Sequence, residues 1–440
     1  MSISVIGAGL AGCEAAWQIA RTGTEVELYE MKPVRYSPAH HSPDFAELIC
    51  SNSLKAERVE SAAGLLKEEM RRLHSLLMQC ADGCRVPAGG ALAVDRDRFS
   101  QAVTQRISAH PLIHIHREEI TEIPRDGITV IATGPLTADT LAAKIAALCG
   151  GSLSFFDAAA PIVSAESLDR DRIFAASRYD KGGDDAYLNC PMNKEEYERF
   201  YAALVSAERA PVHDFDVADP KVYEGCMPVE VMAQRGEDTL RFGPLKPVGL
   251  RDPHTGHRPW AVVQLRREDS QGTLYNLVGF QTNLKFGEQK RVFGMIPGLE
   301  NAEYFRYGVM HRNTFLNSPR VLSADYSLRE RPGLFFAGQI TGVEGYMESA
   351  SSGIMAGINA VRRLNGQDTL ILPDTTMIGA LSGYVAYGRE ADFQPMGANF
   401  GVIPPLEPHI RDKRERYAAF SARSLQELEK IMAANQSGLV

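Results

Sequence analysis

Two cysteines stand in neighbourhoods suited to a reactive thiol. Cys50 lies in LICSNSLKAE, at the end of an apolar run and ahead of Ser51, Asn52 and Ser53. Those are helix-capping residue types. The pattern predicts a thiol close to a helix N-terminus, where the thiolate is favoured. Cys226 lies in KVYEGCMPVEVMA, beside Gly225 and ahead of Pro228, on a loop expected to be exposed. An activated thiolate can add to an electrophilic carbon or carry a proton. The chain has seven cysteines, an odd and scattered number that gives no disulfide framework. Cys13, Cys149 and Cys190 read as small buried hydrophobes. Cys80 and Cys84 flank Ala81-Asp82-Gly83 without a second Cys or His pair, so no metal site is expected. His311-Arg312-Asn313-Thr314 follows a strand-like run (Tyr307 to Met310) and reads as the polar rim of a site.

Such groups need a scaffold, and the N-terminus supplies its first half. A β-branched run (Ser4, Val5, Ile6) leads into Gly7-Ala8-Gly9-Leu10-Ala11-Gly12, then an amphipathic helix, then an apolar strand ending in Glu30. Gly7 permits the tight turn, Gly9 lets backbone approach a pyrophosphate, and Gly12 lets helix and strand pack closely. Helix N–H groups then face the phosphates. Glu30, roughly 20 residues on, is placed to accept from a ribose diol. A second element, residues 333–361, reads GLFFAGQITGVEGYMESASSGIMAGINAV. Here a strand ends at Gly338, a loop carries Gly342 and Gly345, and a helix runs through Gly353 and Gly357. A helix so rich in Gly is costly by propensity, and close backbone packing is the expected compensation. Two such elements favour FAD over NAD as the tightly held nucleotide. The expected cofactor set is Gly7, Ala8, Gly9, Leu10, Ala11, Gly12, Glu30, Gly134, Gly338, Gln339, Gly345, Tyr346, Ala350 and Gly353.

Between these halves the texture changes. Alternating strands and helices indicate an α/β, doubly wound, Rossmann-like domain. It is assigned to residues 1–150 and 301–440, with an α+β domain inserted at 151–300 as the candidate substrate-binding domain. Leucines at helical spacing predict one helix over 62–80. Residues 128–134 read as a fully buried strand stopping on Gly134. At 440 residues two domains are expected, and no apolar run approaches bilayer length. The first strand begins at once, leaving no signal peptide, so a cytoplasmic location with reduced thiols is expected. The net charge of −8 argues against non-specific coating of nucleic acid. Two local basic stretches remain as RNA candidates. Residues 409–423 carry five Arg or Lys against two Asp or Glu, with Tyr417 and Phe420 interleaved. Residues 241–267 hold Lys246, Arg251, His254, His257, Arg258, Arg266 and Arg267.

Several segments are distinctive: VIGAGLAGCEAAW, FAELICSNSLKAE, VPAGGALAVDRDRFS, AYLNCPMNKEEY, RYGVMHRNTFLNSP, GVEGYMESA and FQPMGANFG. Together they resemble the glucose-inhibited-division family of tRNA-modifying flavoproteins, and within it the folate- and FAD-dependent tRNA (uracil-5-)-methyltransferases. The resemblance implies FAD, methylenetetrahydrofolate as carbon donor, NADH or NADPH as reductant, and tRNA as substrate. It implies methylation of the T-loop uridine (uridine 54) to ribothymidine, with no obligate protein partner and no membrane. It also implies Cys226 as the thiol adding to uracil C6 and Cys50 as an assisting thiol in C5 deprotonation. His311, with Arg312 and Tyr346, would hold the folate pterin against the flavin. Gln339 stands where many FAD enzymes carry Asp, which weakens a generic reductase reading. The alternatives are the same chemistry on ribosomal RNA, a wobble-uridine-modifying relative, and an RNA-independent NAD(P)H flavin oxidoreductase.

Overall fold

The computed structural model describes residues 2–151, 153–180, 187–211 and 227–435, except for the side chains of residues 153–157, 180, 311 and 312. The apolar first strand, Ile3–Ile6, is the centre of a six-stranded sheet. Val26–Tyr29 and Ile113–His116 extend it on one side, Thr129–Ile131 and Arg331–Phe336 on the other, all parallel. Ser327–Leu328 closes the edge antiparallel. Ile3, Val5, Leu28, Val130 and Phe335 are fully buried, as strands covered on both faces require. This is an α/β fold with a Rossmann-like parallel core, the expected class.

The helix Leu10–Arg21 returns from the first strand and packs against Tyr346–Leu364. Their glycines make the contact. A Cβ on Gly353 would stand 2.1 Å from the Ala11 carbonyl oxygen, and one on Gly357 2.7 Å from that of Ala15. The expected compensation for a costly Gly-rich helix is therefore visible as backbone packed on backbone. The single helix expected over 62–80 is instead two, Ala62–Arg72 and Leu76–Gly83. His74 between them takes a left-handed φ of 59°. The second piece starts afresh on Ser75, whose hydroxyl accepts from the Met78 N–H, while the buried Glu14 carboxylate accepts from Leu76 and Leu77. Capping outweighed the continuous leucine spacing.

A second six-stranded sheet is antiparallel throughout, in the order 174–175, 187–192, 261–267, 274–277, 162–164 and 304–306. The helices Lys194–Val205 and Phe286–Phe293 cover it around a separate core that includes Tyr197, Phe200, Val263, Phe280 and Phe293. The strands Leu153–Ala158 and Met310–Phe315 pair antiparallel, carrying the chain out to this sheet and back. Because Tyr304–Arg306 belongs to the second sheet, the return crossing falls later than residue 300.

The basic 409–423 stretch is mostly the start of the helix Lys413–Ala434. Its aromatics face inward: Tyr417 and Phe420 lie 4.6 and 5.3 Å from the Phe400 ring, and Phe420 is buried. They pack the helix down onto Phe400. No helix of the described residues is long and apolar enough to cross a membrane.

Candidate active site

The first strand ends in a turn that only glycine fits. Gly7 has a φ of 99°, and a Cβ there would meet the Ala132 carbonyl oxygen at 2.7 Å. Gly12 is tighter, its Cβ position lying 1.7 Å from the Gly7 oxygen. Gly9 differs, since a Cβ there would meet nothing within 4 Å. It faces open space at the mouth of a helix whose first turn has no side-chain cap. Uncapped N–H groups over an open cradle are what a pyrophosphate needs. Glu30 accepts from the Ala8 N–H at 2.8 Å and the Lys32 N–H at 2.9 Å, tying strand end to glycine loop. Each carboxylate oxygen keeps a lone pair for a ribose hydroxyl.

Gly7, Ala8, Gly9, Leu10, Ala11, Glu30, Gly134, Gly338, Gln339, Tyr346 and Cys50 line one cavity of about 1380 Å³, counting the part open to solvent. Glycine loop, second glycine element and candidate thiol thus share a single space. Gly12, Gly345, Ala350 and Gly353 do not line it. Gly12 and Gly353 act through packing, Ala350 is buried in the core, and Gly345 leads into the helix with a φ of 119°. Sequence reasoning missed other lining groups, among them Lys32, His40, Glu47, Thr133, Asn313 and Ser349. Lys32 pairs with Glu47 at 3.2 Å and donates to the Asp44 carbonyl at 2.6 Å. Burial and the nearby Lys32 hold the His40 imidazole below its ordinary value. That favours its neutral form, bonded at 2.6 Å to Ser37.

Cys50 sits at the other end. No helix follows it; the chain enters the strand Ser53–Ala56 instead. The expected activation by a helix N-terminus is therefore absent. Ser51 and Asn52 have a different task, receiving Arg266 of the second sheet at 2.8 and 2.9 Å. The Tyr346 hydroxyl accepts from the Cys50 N–H at 2.7 Å and the Ser51 N–H at 3.1 Å. Burial, with the Cys50 sulfur beside it, pushes the Tyr346 phenol well above its ordinary range, so it stays neutral. Cys50 is partly exposed, and its thiol donates to the Ala158 carbonyl at 3.8 Å. Cys13, Cys80, Cys84, Cys149 and Cys190 are buried instead. Burial lifts the thiols of Cys80 and Cys149 to about 11, which leaves them inert.

Cys226 lies outside the described residues. The chain on either side of it is anchored at one place. The Ala210 N–H donates to Asn283 and the Val229 N–H to Gln281, both at 2.7 Å. Thr282, between those acceptors, donates to the carbonyl of Ala159, which lines the cavity. The backbones of His311 and Arg312 pair with Asp157 and Phe156 on the strand that ends at Ala158, but their side chains lie outside the described set. Asn313, next in line, reaches the cavity.

The family profile described as "Glucose inhibited division protein A" matches residues 2–368. The chain is 63% identical over 434 residues to the methylenetetrahydrofolate–tRNA-(uracil-5-)-methyltransferase TrmFO of Desulfitobacterium hafniense, covering 98% of this chain and 99% of that protein. It is 58% identical over 434 residues to the protein of the same name from Geobacter sulfurreducens, covering 98% and 99%. Among solved structures, Aquifex aeolicus GidA superimposes with a TM-score of 0.70 at 16% identity, covering 100% of this chain and 74% of that one. That last likeness concerns the fold.

Proposed function

This chain belongs to the glucose inhibited division protein A family, and from that premise we propose that it methylates C5 of uracil in tRNA, using methylenetetrahydrofolate as the carbon donor and FAD as its resident cofactor. The observation that carries the reading is the shared cavity, with the nucleotide cradle at Gly7–Gly9 at one end and the Cys50 thiol against Tyr346 at the other. The fit to FAD rests on the open space at Gly9, the uncapped helix and the Glu30 carboxylate. When bound, the reduced flavin supplies the hydride that turns the transferred carbon into a methyl group.

The chain's own residues do the rest. C5 of uracil is barely nucleophilic, and a thiolate bonding to C6 makes it enolate-like. We assign that addition to Cys226, three residues before the anchored Val229 in the sequence. After the carbon joins C5, the C5 proton must leave. Cys50 is assigned to take it as the bond from the transferred carbon to the folate nitrogen breaks and tetrahydrofolate leaves. Reduction of that carbon to methyl then expels the Cys226 thiolate from C6 and restores the ring. His311 and Arg312, with Tyr346, are assigned to the folate pterin, whose flat face suits a ring sandwich. The uridine acted on is that of the T-loop, uridine 54, flipped out of its stack to reach the cavity. NADH or NADPH would be the source of the reducing equivalents.

The test is incubation of FAD-loaded protein with NADPH, methylenetetrahydrofolate labelled in its one-carbon unit, and either unmodified tRNA or unmodified ribosomal RNA. Label in the T-loop uridine of tRNA is expected. Label in ribosomal RNA alone would overturn the substrate assignment, and label in neither would return the protein to an RNA-independent oxidoreductase.

A further inference from the structure

Cys50 is held by more than Tyr346. The carbonyl of Ile49, the residue before it, accepts from two guanidinium groups. Arg96 Nη1 reaches it at 3.0 Å, and Arg306 Nη2 donates to the same oxygen. The two come from opposite sides: Arg96 opens the helix Arg96–Ser108, and Arg306 ends the strand Tyr304–Arg306 of the second sheet. Arg96 also binds Glu268 Oε2 through Nε at 3.0 Å and Nη2 at 2.8 Å, with the Glu268 side chain only 3% exposed. Arg306 has no carboxylate within ion-pair distance among the described residues, and its Nε is buried without a hydrogen-bond partner. Among the described side chains, two guanidiniums share one carboxylate in a poorly solvated place, which a fold tolerates only for a reason.

Glu268 is in electrostatic range of Arg306 too, but its Oε2 is already held by Arg96. Tyr346 stays neutral. Arg266 is engaged with Ser51 and Asn52, and Lys55 with Glu348 at 2.7 Å. Asp157, His311 and Arg312 lie on the strand pair beside Ala158, with side chains outside the described set. The Cys50 sulfur is in electrostatic range of both Arg96 and Arg306.

We propose that Arg96 and Arg306 are positioning residues for Cys50: they grip the backbone in front of it from both domains, and Arg306 is the counter-ion of its thiolate. This rests on the reading of Cys50 as the base that takes the C5 proton, because only the deprotonated sulfur can accept one. Two guanidiniums on one carbonyl fix the thiol's position, and the Arg306 charge stands beside the sulfur.

The experiment alkylates the FAD-loaded protein at neutral pH, without tRNA or folate, and follows the Cys50 peptide by mass spectrometry. Two probes are compared, anionic iodoacetate and neutral iodoacetamide, which form the same S–C bond and release iodide. Their rate ratio, referred to the same ratio for glutathione, reads the charge beside the sulfur and cancels changes in access. Wild type is expected to favour iodoacetate. Arg306→Gln should lower the ratio about tenfold, and Arg306→Lys, which keeps the charge, should restore it. A wild-type ratio no higher than that of glutathione overturns the proposal without any variant. So does an unchanged ratio in Arg306→Gln with its flavin retained. Because methylation is not measured, failure of this idea and failure of the proposed function give separate results.

Discussion

Tyr346 decides how the Cys50 loop is presented, because one phenolic oxygen receives two consecutive backbone N–H groups. Tyr346→Phe strands both donors, and each stranded donor costs about 1–3 kcal/mol where water cannot replace the bond. The variant is expected to keep its flavin absorbance, lose stability in denaturant by that order and fall steeply in methylation kcat. Cys50→Ala should also keep the flavin but lose turnover, and retention of full activity would remove Cys50 from the mechanism. At this scale the sequence made the cysteine visible but misjudged its surroundings. Ser51 and Asn52 look like caps, yet they bind Arg266. The groups that hold Cys50 could not be seen locally, since Arg96 and Arg306 are 47 and 257 positions from Ile49. Contacts of that kind have no spacing rule.

Among the elements, close backbone packing by the helix Tyr346–Leu364 was legible, because glycine at 353 and 357 has little other use inside a helix, but its partner, the helix Leu10–Arg21, was not. Gly353→Ala should force the helices apart at Ala11 and cost about 1–3 kcal/mol as overpacking does, with weakened flavin retention; differential scanning calorimetry with and without added FAD would show it. The broken helix at His74 was not legible, because the device that restarts it is a carboxylate from elsewhere. Glu14 accepts from Leu76 and Leu77, and Glu69 caps the helix Met377–Tyr387 in the same way, through Met377 and Ile378. Burial outweighs those bonds and raises both carboxyl groups from 4.5 to about 7. The folded protein therefore holds protons that the unfolded chain has released. This stabilisation is complete below pH 4.5 and fades as the pH rises through 7, by up to about 3 kcal/mol per group. Urea midpoints measured from pH 5 to 8 should fall for wild type and fall less for Glu14→Gln with Glu69→Gln. An identical slope in the double variant would contradict the assignment.

Taken whole, the molecule sets a thiol at the seam between a nucleotide-binding sheet and a second, antiparallel one. Alternation of strands and helices announced the first sheet, and the change of texture announced the second. The RNA-facing surface was harder to read, because charge runs do not say which side they face. In 409–423 the aromatics turn inward onto Phe400. In 241–267 Arg266 is consumed by Ser51 and Asn52, while Lys246, Arg251, His254, His257 and Arg258 are exposed. Arg251→Glu with Arg258→Glu should therefore weaken tRNA binding and flatten its salt dependence while leaving flavin content unchanged. Filter binding across a salt series checks this, and unaltered slopes would move the RNA surface elsewhere. The central claim is that one cavity joins folate carbon, flavin hydride and tRNA uracil. Its most direct test is mass spectrometry of nucleosides from tRNA treated with the protein, NADPH and methylenetetrahydrofolate deuterated at both methylene hydrogens. The account predicts ribothymidine whose methyl group carries two deuterium atoms, the third hydrogen having come from the flavin. Ribothymidine free of deuterium, or unmodified uridine with the flavin fully reduced, would contradict it.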